Sequence, residues 1–313
     1  MTLLPRIEMA LEATLAAASI GGPPRLHQAI RHAVFPGGAR IRPQLCLAVA
    51  LACGDDAPAV SDGLAVALEL MHCASLVHDD LPCFDNADLR RGLPSVHKAW
   101  GERLAVLAGD ALIVLAFRSV ARSACEAPGR LAEVLRWLDE SVGPPSGIVA
   151  GQAWECETSA DLAEYQRAKT GSLFAAATAG GATAAGADGR LWYALGDSLG
   201  HAYQVADDIR DVIADTAELG KPAGQDLLLD RPSSTRALGL EGAVQHFDAL
   251  IQAAIESIPV CPGAPLLRSL VVSEARRLVP SDGPAGRFRA GSITAATARR
   301  STAAQVQRAG WPG

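Results

Sequence analysis

Aromatic side chains are only 4% of the 313 residues, and runs of Val, Ile, Tyr and Phe with a period of two are scarce, which argues against a β-rich core. No C-x-x-C unit occurs. Cys46, Cys53, Cys73, Cys83, Cys125, Cys156 and Cys261 mostly sit in apolar runs such as IRPQLCLAVALAC and read as small buried hydrophobes of a reducing compartment, not as a disulfide or metal set. Excess basic charge is also missing: 28 Lys and Arg against 34 Asp and Glu give a net charge of -6, which excludes a general nucleic-acid surface. The PGG turn at 36–38 has no GKS or GKT ending, so it is not a P-loop. Residues 1–19 carry Glu8 and Glu12 among their apolar positions and show no apolar stretch behind a basic flank. Charge also cuts the later apolar runs, so the expectation is a soluble cytoplasmic protein that neither is secreted nor spans a membrane.

Ala, Leu, Arg and Glu dominate the long segments, and the fold class expected is all-α. Helices are predicted over about 6–19, 24–34, 41–53, 59–79, 99–122, 128–139, 145–156, 161–180, 188–213, 233–257 and 264–278. GGPP at 21–24, PGG at 36–38, CGDDAP at 53–58, the stretch 82–94 and LGKPAG at 219–224 mark the breaks. AVLAGDALIVLAF at 105–117 is apolar nearly all round and belongs inside a bundle of more than four helices. One helical domain over 1–280 is the economical reading, and the basic, small-residue-rich stretch 281–313 is expected to be disordered or a loosely packed tail.

Two acidic segments carry the chemistry. In the first, HDDLPCFD, Asp79 and Asp80 emerge at a predicted helix C-terminus beside Pro82, an unfavourable place for carboxylates unless a cation joins them. With Asp85 beyond the break they are hard oxygen ligands suited to Mg²⁺, an ion that bridges to substrate phosphates. In the second, Gln204, Asp207, Asp208 and Asp211 stand at i, i+3, i+4 and i+7 on one helical stripe. Alone, that stripe reads equally as a solvated face; it is the pairing of two such clusters that favours a metal site. Arg40, Arg42, Arg90, Arg91, Lys169 and Lys221 lie near these segments or in the PGG turn and supply the local positive charge that the acidic whole lacks. His72 reads either as a hydrogen-bonded core residue or as a ligand contact, and His78 as packing.

The motifs GGARIRP, HDDLPCFDNADLRRG, LAGDAL, GQAWE, KTG, YQVADDIRD and LGKPAG occur in the order found in the trans-isoprenyl diphosphate synthase (polyprenyl synthetase) family, which the chain resembles over about 37–231. It looks most like the geranylgeranyl diphosphate synthases of photosynthetic purple bacteria, which supply carotenoid and bacteriochlorophyll precursors. The resemblance implies an isoprenoid-synthase-like helical bundle around a deep central cavity, usually a homodimer. It further implies that Asp79 and Asp85 hold two Mg²⁺ ions and Asp207 a third, supported by Asp80, Asp208 and Asp211. Arg90, Lys169 and Lys221, assisted by Gln204, would hold the allylic diphosphate (dimethylallyl, geranyl or farnesyl). Arg42, His72 and Arg91 would hold isopentenyl diphosphate, with Thr170 and Tyr203 near the reacting carbons.

Departures from the family pattern are Ala39 for Lys, Ala87 and Glu155 for Asp, Arg210 for Leu and Gln225 for Lys. None removes a metal ligand. Product length is expected to follow pocket depth: where family farnesyl synthases carry an aromatic residue four or five positions before the first Asp, this chain has Ser75 and Ala74. One open helical turn, about 5.4 Å, admits roughly one more isoprene unit, and Met71 or a facing helix forms the next floor. A twenty-carbon product is expected, with farnesyl diphosphate the runner-up; a class I terpene cyclase and a noncatalytic partner subunit remain as readings from other classes.

Overall fold

A computed structural model describes residues 3–35, 37–159, 161–213 and 233–280. Lys221, Gln225, the LGKPAG motif and the stretch 281–313 lie outside the described residues. The described chain is all-α apart from one two-residue-per-strand hairpin. Its helices are α1 Leu3–Ser19, α2 Pro24–Val34, α3 Ile41–Ala52, α4 Pro58–Asp79, α5 Val96–Trp100, α6 Glu102–Ser123, α7 Leu131–Val142, α8 Ile148–Ala153, α9 Leu162–Gln166, α10 Ser172–Ala184, α11 Tyr193–Ile213, α12 Ser234–Ser257 and α13 Ala264–Leu278. Pro24 and Pro58 open α2 and α4 at a position where the missing N–H costs nothing.

Helix α10 occupies the centre, with Leu173 to Ala184 all buried, and α3, α4, α7 and α11 surround it. Alanine and glycine make up most of α10, so its neighbours approach closely. Helices α4 and α6 pair along their lengths, and a Cβ on Gly109 of α6 would fall 2.0 Å from His78 Nε2. Glycine there is therefore required for the packing that His78 was expected to provide. Arg40, with a side chain 1% exposed, binds Glu69 of α4 at 2.6 Å, Glu8 of α1 at 2.8 Å and the Val34 carbonyl at 2.7 Å. Burial opposes its charge, yet these bonds outweigh it and raise the guanidinium pKa above its ordinary value. Arg40 thus clamps three helices instead of facing a substrate.

Several boundaries shift for local reasons. The helix expected from 99 is two, split by Gly101 at φ 86°. The helix expected from 128 begins at Leu131, because Pro128–Arg130 forms a separate tight turn. Gly239, at φ 70°, breaks the α-helical course of α12 near its start. By length and composition α4 and the stretch Glu102–Glu126 could each cross a membrane, but most of the apolar window of α4 lies inside the bundle. Helix α6 instead leaves Val106, Leu107, Val114 and Phe117 exposed.

Candidate active site

The first acidic segment is positioned by the end of α4 and the loop that follows. The Asp85 N–H donates to the Asp79 carbonyl at 2.9 Å, and the Asn86 N–H to the Leu81 carbonyl at 3.0 Å, so the loop doubles back and returns Asp85 to Asp79. Carboxylate oxygens of Asp79, Asp85 and Glu155 then lie within 4.8 Å of one another. Asp79 Oδ1 is buried with no hydrogen-bond partner, and Lys169 Nζ stands 3.9 Å from it. Burial pushes the Asp79 carboxyl above the usual range, with Lys169 opposing. An orphaned buried oxygen among three hard, converging carboxylates fits a divalent cation such as Mg²⁺.

Asp80 faces elsewhere. Arg90 grips it through Nε, at 3.0 and 3.2 Å, and through a second guanidinium nitrogen, and Asp80 is 2% exposed. Arg90 is placed by the hairpin of β1 Leu89–Arg90 and β2 Leu93–Pro94, which the sequence reading did not foresee. Arg91 and Gly92 form its two-residue turn with φ of 54° and 77°, the left-handed geometry that such hairpins demand. The turn sends Arg91 away from Arg90 to donate to the Gly37 carbonyl of the PGG turn.

Lys169 and Thr170 lie in a π-helical turn, Arg167–Gly171, between α9 and α10. The turn is wedged between backbones: a Cβ on Gly151 of α8 would sit 2.4 Å from Lys169 Cα, and one on Gly200 of α11 would sit 2.5 Å from Gly171 Cα. Lys169 donates to Glu155, which also accepts from the Tyr165 hydroxyl at 2.6 Å. Thr170 donates to Gln204 Oε1 at 2.9 Å, and the Gln204 amide donates to Asp208 at 3.0 Å. Asp208 accepts further from the Ser234 N–H at 2.6 Å and Gln166 at 3.4 Å, and is 2% exposed. It therefore ties α11 to α12 and to the π turn. Asp207 accepts from Arg210 and is 43% exposed, while Asp211 Oδ1 is buried without a partner.

Arg42 stacks over Phe174 at 4.7 Å and lies 6.0 Å from the Tyr203 ring, its Nε buried and unpartnered. Burial draws its pKa below the ordinary value. His72 is held well below 6.5 by burial and then by Arg42, Arg91, Arg90 and Arg40. Arg40 and Arg90 are engaged by Glu69, Glu8 and Asp80, which leaves Arg42 and Arg91 as the positive charges beside this imidazole that can meet an anion. The same Phe174 and Tyr203 that Arg42 meets also line an apolar cleft, with Leu45, Ile251 and Leu278 among others. Met71 and Ala74 are fully buried in the core; Ser75, donating to the His72 carbonyl at 2.8 Å, keeps accessible surface.

The model of the polyprenyl synthetase family matches residues 23–260. The chain belongs to that family. It is 52% identical over 279 residues to the geranylgeranyl diphosphate synthase of Cereibacter sphaeroides, covering 88% of this chain and 97% of the relative. Among solved structures it resembles a geranyltransferase from Legionella pneumophila, with TM-score 0.76 and 29% identity over 89% of this chain and 95% of the other. A geranyltransferase from Helicobacter pylori, complexed with magnesium and isoprenyl diphosphate, aligns with TM-score 0.73 and 28% identity over 88% and 98% of the two chains. For this polyprenyl synthetase the sequence reading treated Glu155 only as a departure, whereas the fold brings it to the Asp79–Asp85 pair. Its position four residues after Gly151, the glycine that lets α8 touch the Lys169 turn, is the signal in the sequence that points to it.

Proposed function

We propose that the chain is a Mg²⁺-dependent trans-prenyltransferase that condenses isopentenyl diphosphate with an allylic diphosphate and releases geranylgeranyl diphosphate. The observation that supports this reading is the convergence of Asp79, Asp85 and Glu155 beside Lys169, whose neighbour Thr170 bonds Gln204 on the helix that carries Asp207, Asp208 and Asp211. Asp79 and Asp85 hold two of three metal ions and Asp207 the third, with Asp80, Asp208 and Asp211 fixing the surroundings. When bound, Mg²⁺ supplies positive charge against the charge that builds on the departing diphosphate.

The chain's own residues do the rest. Arg90 keeps one guanidinium nitrogen for the allylic diphosphate while Asp80 holds the others. Lys169, released from Glu155, and Lys221 hold the same group. Arg42, His72 and Arg91 hold isopentenyl diphosphate; the carbon–oxygen bond to the allylic diphosphate breaks to leave an allylic cation and free diphosphate, and the double bond of isopentenyl diphosphate attacks that cation. A proton is then lost to the released diphosphate, leaving a trans product five carbons longer. Thr170 and Tyr203, whose ring lies 5.3 Å from that of Phe174, line the reacting region.

Residues 1–280 form the catalytic unit of a cytoplasmic homodimer, and the exposed Val106, Leu107, Val114 and Phe117 face of α6 is the surface that supports pairing. Val114→Glu is expected to shift the protein from dimer to monomer in sedimentation velocity; an unchanged dimer removes α6 from the interface. The function is tested by product length from isopentenyl diphosphate with dimethylallyl, geranyl or farnesyl diphosphate and Mg²⁺. Twenty carbons is the expected stop, fifteen would make the chain a farnesyl synthase, and no elongation would sink the prenyltransferase reading.

A further inference from the structure

Three cations fold back onto carboxylates in the site, and they do so differently. Arg90 holds Asp80 in a fork, and both lie mostly buried. Lys169 lies on Glu155, beside the rest of its triad. Arg210 holds Asp207 across one turn of α11 through a single guanidinium nitrogen, its Nε is buried without a partner, and both side chains are about a third or more exposed, at 34% and 43%. A one-point, half-solvated pair is weak and exchanges readily. One turn from Asp207, Asp211 Oδ1 is buried with no partner, so the stripe has more carboxylate than Arg210 neutralises.

We propose that Arg210 is a built-in competitor for the metal on the second acidic segment: it occupies Asp207 until the cation displaces it, and so raises the metal concentration at which that segment fills. This rests on the Mg²⁺-dependent reading above. Arg210 is a positioning residue, acting through Asp207 and touching no substrate. Because it sits on α11, its effect is confined to the Asp207 class of metal site and leaves the class held by Asp79 and Asp85 unaltered. An exposed ion pair is worth little, so removing it tightens the second class by only about two- to five-fold.

The test is a titration of the full chain with Mn²⁺ in the presence of inorganic diphosphate, counting free ion by electron paramagnetic resonance. Arg210→Leu is expected to lower the dissociation constant of the site class that Asp207→Asn abolishes, by about two- to five-fold, and to leave the class that Asp79→Asn abolishes unchanged. Arg210→Lys, which keeps the charge, should stay near the parent value. In an Asp207→Asn background the Leu substitution should change nothing. Unchanged or weaker binding in Arg210→Leu overturns the proposal, as does equal tightening of both classes, which would be a mere loss of net charge. A chain that binds no Mn²⁺ with inorganic diphosphate at all would sink the metal-dependent reading with it, whereas intact binding indifferent to Arg210 would sink only this inference.

Discussion

Ser75→Phe is expected to convert a twenty-carbon product into a fifteen-carbon one. Of the three positions expected to set the depth beneath Asp79, Met71 and Ala74 are closed into the core, and only Ser75 keeps surface that a prenyl chain could meet. It stands four residues before Asp79, one turn of α4 or about 5.4 Å below the carboxylate. That is on the order of one isoprene unit. A ring filling this turn denies burial to five carbons, at about 0.8 kcal/mol each, or about 4 kcal/mol. Such a difference disfavours the twenty-carbon product by about three orders of magnitude. Product distributions from farnesyl diphosphate and labelled isopentenyl diphosphate, resolved by mass spectrometry, read this directly. Ala74→Phe is the contrast: its site is already filled, so it should cost about 1–3 kcal/mol in stability and lower the melting temperature. Undiminished twenty-carbon product from a folded Ser75→Phe protein would refute the placement of the tunnel on this face of α4.

Asp79→Asn should reduce turnover by at least about 10²-fold, more than is usual for groups behind a ligand, without lowering the metal-free melting temperature, because it removes a carboxylate that burial already disfavours. Glu69→Ala leaves Arg40 with only Glu8 and the Val34 carbonyl, and should cost about 3 kcal/mol, the lower end for breaking a buried pair; denaturant unfolding measures it, and a loss under 1 kcal/mol would make the clamp dispensable. His72 has a folded pKa below 6.5, so between that value and 6.5 the unfolded chain binds the extra proton and stability falls as pH falls. Unfolding free energy should therefore fall more steeply for the parent than for His72→Gln as pH passes down through about 6.5, by at most about 1.4 kcal/mol per pH unit, and parallel denaturant-unfolding curves across that range would refute it.

The helices were legible because proline and glycine punctuate them: α2 and α13 fall where expected, and α3, α4 and α12 within one residue. What escaped were features set by partners distant in sequence. The hairpin that separates Arg90 from Arg91 follows from a left-handed Arg91, a conformation that side chains seldom favour and that the contact with Gly37 supports here. Arg40 and Arg42 stand two residues apart in one motif, yet the first is consumed by Glu69 and Glu8 and the second stacks on Phe174. Spacing in the motif could not distinguish them, because Arg40 flanks α3 in a left-handed conformation and the partners of both lie on other elements. Likewise Asp207, Asp208 and Asp211 share a stripe, but contacts with Ser234, Gln204 and Gln166 take Asp208 into a structural network.

The π turn at Arg167–Gly171 amounts to one residue more than a regular helix needs. Deleting a residue there would restore an unbroken helix from α9 through α10, and a designer seeking regularity would remove it. The deletion would also turn everything before the cut by about 100° against everything after it, uncoupling Tyr165 and Lys169 from Thr170 and its link to Gln204. The surplus residue is the phase difference that lets adjacent positions of one helix serve Glu155 and the Gln204–Asp208 pair, and an insertion–deletion survey of this segment should find it intolerant to length even where it tolerates substitution.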